Sequence, residues 1–152
     1  MPVVIRDPLP ADRPQWEVLW AGYNDFYERK GPTAVSAEVT EVLWRRIFDV
    51  GEPVHALVAE LDGRVVGIVH YLFYRNTTMI QPACYLQDLF TAPEARGRGA
   101  GRALIEAVCE RARQAGSPRV YWQTHQTNAT AMALYDQVAD NSGFVVYRKS
   151  LA

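Results

Sequence analysis

The chain has 152 residues, 49% of them hydrophobic, which is enough for one domain with a core and too little for two. Its 16 basic residues nearly cancel its 17 acidic ones, and a formal net charge of -1 lacks the basic excess of most nucleic-acid-binding proteins. No segment approaches the ~18 apolar residues of a membrane span, and the N-terminus carries no apolar signal core. We expect a single domain over residues 1–152 in the cytoplasm, bound to neither nucleic acid nor membrane, with Cys84 and Cys109 as buried thiols.

The N-terminal half predicts a strand, two helices and a hairpin. Asp12 precedes apolar residues at helical spacing and is expected to cap the first helix, and Ser36 precedes the second. Asp62-Gly63 is a strong two-residue hairpin signal. The predicted elements are, in chain order, a strand over 3–7, helices over 13–29 and 38–50, and paired strands over 55–61 and 64–74.

The C-terminal half predicts strands that alternate with helices. Gly116 ends one of these helices and Pro118 starts the next connection. The predicted elements are a strand over 83–91, a helix over 99–115, a strand over 119–124, a helix over 127–140 and a last strand over 143–149. Antiparallel hairpins followed by β-α-β units predict a mixed α/β fold with one mixed sheet and helices on its faces.

A glycine-rich loop, PEARGRGAGRAL at 93–104, connects the strand over 83–91 to the following helix, and its three glycines alternate with arginines. Backbone N–H groups at a helix start are unpaired, and the helix dipole adds partial positive charge there. Glycines let the backbone approach a ligand closely, and arginines supply countercharge. The pattern predicts a site for a phosphate, best a pyrophosphate. The alternative is a flexible glycine turn with solvated arginines.

Three other types of nucleic-acid or phosphate site do not fit this loop. No G-x-x-x-x-G-K-[ST] string occurs in the chain, so a P-loop is excluded. The dinucleotide fingerprint needs a third glycine where Arg102 stands, and an RGG-type RNA segment would be repeated. The remaining pattern, [QR]-x-x-G-x-[GA], is matched by residues 96–101 at every fixed position.

Three segments resemble the GNAT superfamily of acetyl-CoA-dependent N-acetyltransferases: YLQDLFTAPEARGRGAGRALIEAV at 85–108, RVYWQT at 119–124 and NATAMALYDQVADNSGFVVYRKSL at 128–151. The resemblance covers the C-terminal half closely and the whole chain by element order. Within the superfamily, the sequence is similar to the diamine, polyamine and histone/polyamine-type branch. The resemblance implies a mostly antiparallel, twisted central sheet of six to seven strands, splayed at the cofactor site and flanked by about four helices.

The resemblance implies acetyl-CoA as a co-substrate, and no cluster with metal-ligand spacing occurs, so we expect no metal. The loop would wrap the CoA pyrophosphate, and the preceding strand would pair with the pantetheine amides. Asn128 would bind the pantetheine arm or hold the loop, and Tyr135 lies on the same helix face and points at the sulfur. The residues implied for CoA are Leu89, Phe90, Thr91, Arg96, Gly97, Arg98, Gly99, Ala100, Gly101, Arg102, Asn128 and Tyr135.

The resemblance also implies direct attack of an amine on the thioester in a ternary complex. Tyr135 is expected to protonate the leaving thiolate; its alternative is a packed helix aromatic. An alkylammonium has a pKa near ~10 and must lose a proton before attack. Gln87 stands where amine-acetylating relatives often carry a glutamate, and it cannot be a base. Asp88 therefore acts through a water molecule, or orients the amine, or is merely held by nearby backbone.

Acceptor specificity is expected from the first two helices, where acidic and aromatic residues suit a cationic amine; the alternative is a solvated helix face beside a core stripe. The acceptor-site candidates are Tyr27, Glu28, Gln87, Asp88 and Trp122. We expect transfer to the primary amine of a small molecule such as a polyamine or amino acid. The alternatives are a protein lysine or N-terminal acetyltransferase and a non-catalytic CoA-binding sensor. The apolar ending GFVVYRKSL would allow a homodimer.

Overall fold

The computed structural model describes residues 2–151, and its element order follows the predicted one except near the C-terminus. Four α-helices lie in this range: α1 (Arg13–Phe26), α2 (Ala37–Phe48), α3 (Ala100–Gln114) and α4 (Ala129–Val138). The strands are β1 (Val4–Arg6), β2 (Val54–Leu61), β3 (Arg64–Tyr74), β4 (Ala83–Thr91) and β5 (Val120–Tyr121). Short 3₁₀ turns lie at Pro10–Asp12, Gly31–Thr33 and Pro93–Ala95.

The strands form one sheet in the order β1-β2-β3-β4-β5. The first four strands are antiparallel to their neighbours, and β5 runs parallel to β4 because α3 connects them. The β2–β3 hairpin turns at Asp62 and Gly63, whose φ angles are 52° and 78°, as the predicted tight turn requires. This mixed, mostly antiparallel sheet with flanking helices confirms the predicted fold class.

The helices α1 and α3 cover opposite faces of the sheet. Residues of β3 point alternately to the two faces. A Cβ atom added to Gly67 would lie 3.1 Å from Leu104 Cδ1 of α3, whereas His70 accepts a hydrogen bond from Trp16 of α1. The α1 face of β3 and β4 therefore carries a different set of side chains from the α3 face.

An aromatic core fills the space between α1, α2 and the sheet. Trp16, Trp20 and Tyr23 recur at helical spacing on one face of α1, and their rings stack in sequence. Trp44 of α2 packs on the fully buried Trp16 with ring centroids 4.7 Å apart. Burying each such side chain contributes about 2–3 kcal/mol, so this stripe fixes α1 against the strands that carry the site.

The two predicted helix caps have different outcomes. The Ser36 hydroxyl accepts a hydrogen bond from the Val39 N–H at 3.2 Å, so the cap of α2 is confirmed. Asp12 makes no side-chain cap on α1, and that prediction is wrong. Its carboxylate instead accepts hydrogen bonds from the Arg6 guanidinium at 2.7 and 2.9 Å and from the Leu9 N–H at 2.6 Å. A charge-assisted bidentate pair outcompetes a single cap.

The predicted last strand over 143–149 is wrong, and the described residues form five strands rather than six to seven. Residues 139–151 form neither helix nor strand, and Phe144 and Tyr147 are 90% and 94% exposed. A strand needs a hydrogen-bonded neighbour, and β5 offers an edge of only two residues, Val120–Tyr121. The apolar composition of this segment predicted a strand, but the segment pairs with no strand of the described chain.

Candidate active site

The site begins at an irregularity of β4. Tyr71 pairs with Leu86 and His70 with Asp88, so Gln87 is an extra residue in β4 with no counterpart on β3. Such a bulge bends the strand and re-aims its side chains. On its other edge, the described part of β4 pairs with β5 only at Cys84 and Tyr85. No strand of the described chain pairs with this edge of β4 from Leu86 to Thr91. The Gln87 carbonyl oxygen accepts the Tyr23 hydroxyl, and the edge beyond it is open to another extended chain.

The predicted phosphate loop has a backbone that only glycine adopts easily. Gly97 and Gly99 both have φ of 82°, and an added Cβ would meet no atom within 4 Å at either, so conformation and not crowding requires glycine there. Gly99 is the N-cap of α3, and no side chain caps the helix start. The N–H groups of the first turn therefore remain available for an anion.

The three arginines of the loop have different surroundings. The Arg96 guanidinium lies 5.7 Å from the ring centroid of Phe90, and Arg96 and Arg98 are exposed. Arg102 is half-buried and donates a hydrogen bond to Gln137 Oε1 of α4. Arg96 and Arg98 are thus free to meet a phosphate, whereas Arg102 also ties α3 to α4.

A pocket opens where β4 leaves β5, between α1 and α4. It brings together side chains that are far apart in sequence: Tyr23 and Tyr27 from α1 and its C-terminal end, Leu86, Gln87 and Leu89 from β4, Trp122 and Gln123 after β5, and Tyr135 from α4. Among the predicted residues, Tyr27, Gln87, Leu89, Trp122 and Tyr135 therefore share one cavity. Aromatic walls with a few polar atoms are typical of small-molecule sites.

Tyr135 and Trp122 form the α4 side of this pocket. Their ring centroids are 5.4 Å apart in an edge-to-face arrangement. Burial raises the pKa of the Tyr135 hydroxyl, with a smaller contribution from nearby Tyr27. A hydroxyl with a raised pKa keeps its proton at neutral pH, and it can donate that proton to a stronger base.

Asp88 is buried behind the pocket wall. Its Oδ2 lies 3.0 Å from His70 Nδ1, and the other ring nitrogen of His70 accepts the indole N–H of Trp16 at 3.0 Å. Asp88 is 7% exposed and His70 is 1% exposed. The side chain is thus held by an imidazole from β3, and not by nearby backbone as one sequence-based alternative had it.

Tyr23 also lines the pocket, and the sequence analysis assigned it no role. Its hydroxyl donates a hydrogen bond to the Gln87 carbonyl oxygen at 3.5 Å. Burial raises the pKa of this hydroxyl, and the charge of Asp88 and hydrogen bonding to it raise it further. The helical spacing of Tyr23 marked it as a core residue; nothing local in the sequence placed its hydroxyl at the bulge of β4.

Asn128 and Glu28 also lie outside the pocket lining. Asn128 is the N-cap of α4, where its Oδ1 accepts the Ala131 N–H at 3.3 Å. Glu28 is exposed just beyond α1, with φ of 56°. The next residue, Arg29, lies over the pocket tyrosines instead, with its guanidinium 5.4 Å from the ring centroid of Tyr23 and 5.2 Å from that of Tyr27.

A larger cavity of about 230 Å³ lies elsewhere, between the end of β1, α2, β2, β3 and α3. Its walls include Asp7 and Arg111, which form a bidentate ion pair at 2.9 and 3.0 Å, together with His55 and Tyr71. It contains neither the β4 bulge nor the glycine loop, so size alone does not identify the site.

Within residues 2–151, no group of three or more His, Cys, Asp or Glu side chains could hold a metal ion. The two cysteines are free thiols, and burial raises the pKa of Cys84 to about 12. A buried thiol of that kind is a poor nucleophile. None of the described helices is long and apolar enough to cross a membrane.

Comparisons with known proteins agree with this geometry. The model of the acetyltransferase (GNAT) family matches residues 16–139. The chain is 31% identical over 150 residues to the D-amino-acid N-acetyltransferase HPA3 of Saccharomyces cerevisiae, covering 97% of this chain and 91% of that one. It superimposes on the aminoglycoside acetyltransferase meta-AAC0020 from an uncultured soil sample, crystallised with trehalose, with a TM-score of 0.82, 20% identity and 99% and 97% coverage.

A further structural neighbour contains a CoA derivative. It is AAC(6')-Iy in complex with the bisubstrate analogue CoA-S-monomethyl-acetylneamine, with a TM-score of 0.80, 17% identity and 100% coverage of both chains. The fold, the family match and the coverage together define the class of protein. The chain belongs to the GNAT family and is an acetyl-CoA-dependent N-acetyltransferase.

Proposed function

We propose that this enzyme transfers the acetyl group of acetyl-CoA to the primary amine of a small molecule, and that the preferred acceptor is an amino acid. The observation that carries the proposal is the pocket that joins Tyr135 and the aromatic residues of α1 to the open edge of β4. The similarity to a relative named as a D-amino-acid N-acetyltransferase supports the same acceptor class.

The residues of the loop fit a CoA pyrophosphate. Two left-handed glycines and an uncapped helix start direct N–H groups outward, and Arg96 and Arg98 supply positive charge beside them. The free edge of β4 over 89–91 would pair with the pantetheine amides, while Asn128 holds the start of α4 next to it. When bound, acetyl-CoA supplies the thioester carbonyl carbon that the amine attacks.

Tyr135 is the proton donor in this proposal. Its raised pKa keeps a proton on the hydroxyl, and its place in the pocket wall directs that proton toward the departing sulfur. A backbone N–H on the free edge of β4 stabilises negative charge on the carbonyl oxygen. Gln87, on the bulge, lines the acceptor side and binds through its amide rather than by accepting a proton.

Arg29 favours an acceptor with a carboxylate. Its guanidinium lies over Tyr23 and Tyr27, both of which line the pocket, and one of its N–H groups is bound to Asn24 Oδ1 at 2.8 Å. The remaining N–H groups can bind a carboxylate at the pocket mouth. A fixed positive charge there repels a polyamine, so charge favours an amino acid. Tyr27 and Trp122 then form the walls, and Glu28, which is exposed and does not line the pocket, has no role in binding the amine.

The test is thiol release from acetyl-CoA with a panel of D- and L-amino acids, the corresponding amino-acid amides, polyamines, aminoglycosides and a lysine-rich peptide. We expect release with amino acids, and an increase in their KM of about 10-fold in Arg29→Ala, since a hydrogen bond to a charged group contributes about 1.5–3 kcal/mol. The amides lack the carboxylate and should show equal KM in both proteins. Arg75→Ala, on an exposed loop arginine, is the matched control.

Other outcomes of that panel point elsewhere. Release with only the peptide would indicate a protein lysine or N-terminal acetyltransferase. Stabilisation by CoA without release with any acceptor would indicate a non-catalytic CoA-binding sensor. Preference for polyamines, unaffected by Arg29→Ala, would overturn the amino-acid assignment while leaving the small-amine activity in place.

We also propose that the enzyme is a cytoplasmic homodimer in which the C-terminal segments of two copies meet. Residues 144–147 are aromatic and β-branched, all are at least 66% exposed, and the edge strand β5 is short. An exposed strand-like segment beside an open edge pairs readily with another copy. Light scattering should show a dimer that Val146→Asp dissociates. A monomeric wild type would overturn the homodimer.

A further inference from the structure

The cavity between the end of β1, α2, β2, β3 and α3 has no part in the proposed reaction. Side chains of β3 alternate between the faces of the sheet, and His70 contacts Trp16 of α1, so Tyr71 faces α3. Tyr71 and Arg111 of α3 both line this cavity. None of the residues that line it also lines the pocket of Tyr135. A ligand in the cavity would therefore leave that pocket free.

The size and lining of the cavity limit what it can hold. Its volume of about 230 Å³ is below the ~300 Å³ at which pockets for drug-sized molecules begin. Half of its lining side chains are apolar and come from α2, β2 and the segment after β1: Pro8, Ile47, Phe48 and Ala56. The others are polar or charged. A ligand that fits is therefore small and has both an apolar part and a polar part.

The charged groups of the cavity are an ion pair whose positive partner is the more enclosed. Arg111 donates to both carboxylate oxygens of Asp7, at 2.9 and 3.0 Å. The Arg111 side chain is 38% exposed, whereas that of Asp7 is 66% exposed. Asp7 uses only two of the five N–H groups of the guanidinium and holds it in one orientation. The cavity thus contains a fixed cationic donor with N–H groups left for a ligand.

His55 and Tyr71 add neutral donors beside Arg111. They pair across β2 and β3, and their ring centroids lie 5.2 Å apart. Burial lowers the pKa of His55, and the charge of Arg111 lowers it further, so the ring is neutral at neutral pH and carries one N–H. Burial raises the pKa of the Tyr71 hydroxyl, which therefore keeps its proton. One cation and two neutral donors suit a ligand with an anionic oxygen.

We propose that this cavity is a second ligand site, which binds a small organic carboxylate. The carboxylate accepts hydrogen bonds from Arg111, His55 and Tyr71, and the apolar body of the ligand packs against Ile47 and Phe48. Charge-assisted hydrogen bonds of this kind are about twice as strong as neutral ones. A cationic ligand is disfavoured because the enclosed charge is positive. The site does not depend on the proposed acetyl transfer.

The first test uses benzoate, with benzamide and benzylamine as neutral and cationic probes of similar shape. The chain has three histidines, so NMR spectra of the histidine-labelled protein report on the rings of His55, His70 and His125. We expect benzoate to shift the His55 signals until they saturate. Benzamide should bind about 10-fold more weakly or less, because it lacks the charge, and benzylamine should have no effect. No shift at His55, or equal binding of benzoate and benzamide, would overturn the proposal.

The second test uses the two partners of the ion pair as matched variants. Arg111→Gln and Asp7→Asn break the same ion pair, so an effect on packing is common to both. We expect Arg111→Gln to weaken benzoate binding about 10-fold or more, because the anion loses its charged donor. Asp7→Asn removes a competing carboxylate and should tighten binding about 2–5-fold. Arg113→Ala, on an exposed arginine of the same helix, should bind as the wild type does. Weaker binding in Asp7→Asn would overturn the assignment.

The third test separates this site from the other places where an anion could bind. In Arg29→Ala, and in the presence of saturating CoA, benzoate should shift His55 as it does in the free wild type. Loss of the shift in either case would place the benzoate in the pocket or at the glycine loop. Inorganic phosphate has the charge without an apolar body, and it should bind about 10-fold more weakly than benzoate. Equal binding would indicate an adventitious ion only. If no acceptor releases thiol, the proposed function fails, and the His55 titration still decides this site.

Discussion

The glycine loop, which follows β4, and the buried chain of Trp16, His70 and Asp88, which ends within β4, differ in exposure, in sequence separation and in the groups that they offer. The loop over 96–101 is largely exposed, lies within one short segment and offers backbone N–H groups. The chain from Trp16 to Asp88 is buried, comes from three separate elements and offers side chains. We therefore expect the glycine loop to be sensitive to changes of backbone conformation, and the buried chain to be sensitive to changes of side chain.

The largest expected effect on activity comes from a substitution in the buried chain. Asp88→Asn preserves shape but removes the charge, and we expect kcat to fall by about 10²–10⁴-fold, the usual contribution of a general base. Glu94→Gln removes an exposed carboxylate next to the loop and should change kcat little. The measurement is steady-state thiol release for both variants. Similar behaviour of the two variants would show that Asp88 only fills space.

Tyr135→Phe is expected to lower kcat by about 10²-fold and to leave the stabilisation by CoA in thermal unfolding unchanged. Because burial raises the Tyr135 pKa, the hydroxyl contributes at neutral pH and loses its proton only as pH rises through that raised value. The ratio of wild-type to variant rates should therefore fall only under alkaline conditions. A change in KM for acetyl-CoA at constant kcat would instead make Tyr135 a binding residue.

At the exposed side, Gly99→Ala is expected to raise the KM for acetyl-CoA several-fold. A residue with a Cβ at φ of 82° costs about 1–2 kcal/mol, which is a decrease in Tm of about 2–8 °C in a domain of this size. Gly116→Ala, with φ of 81° at the other end of α3, should lose similar stability but keep its KM. Equal KM values for acetyl-CoA in the two variants would show that the loop does not bind the cofactor.

The smallest expected effect is that of single loop arginines. Arg98→Ala should raise the KM for acetyl-CoA about 2–5-fold, since one exposed charge contributes up to about 1 kcal/mol. Arg113→Ala, exposed near the end of α3, should have no such effect. Added salt should raise the KM for acetyl-CoA and leave kcat almost constant, because screening affects exposed charges far more than buried ones. A fall in kcat with added salt would contradict this distinction between exposed charges that bind the cofactor and buried groups that act in catalysis.

The two regions also differ in how far the sequence predicted them. The phosphate loop could be predicted from the sequence because its backbone conformation requires glycine. The positive φ at Gly97 and Gly99 is a local property of those two residues. The hairpin at Asp62 and Gly63 was predicted for the same reason. These features depend on a few neighbouring residues, and a short pattern is enough to specify them.

The buried chain could not be predicted from the sequence, because its residues come from three separate elements, α1, β3 and β4. Trp16 and Tyr23 carry the helical spacing of a core stripe, and His70 stands in an apolar strand. Only the register His70–Asp88, set by the bulge at Gln87, brings the imidazole to the carboxylate. A pattern reports which face a residue occupies, but not which side chain of another element meets it there.

The sequence by itself determined the order of elements as far as α4, the place of the phosphate loop and the family, because each follows from local backbone preference or from a contiguous motif. The tertiary structure decided three things that have no local cause: that Asp12 binds Arg6, that Asp88 is held by His70, and that residues 143–149 have no partner strand. Hydrogen bonds and ion pairs between distant elements depend on register and packing, and those are fixed only when the sheet and its helices assemble.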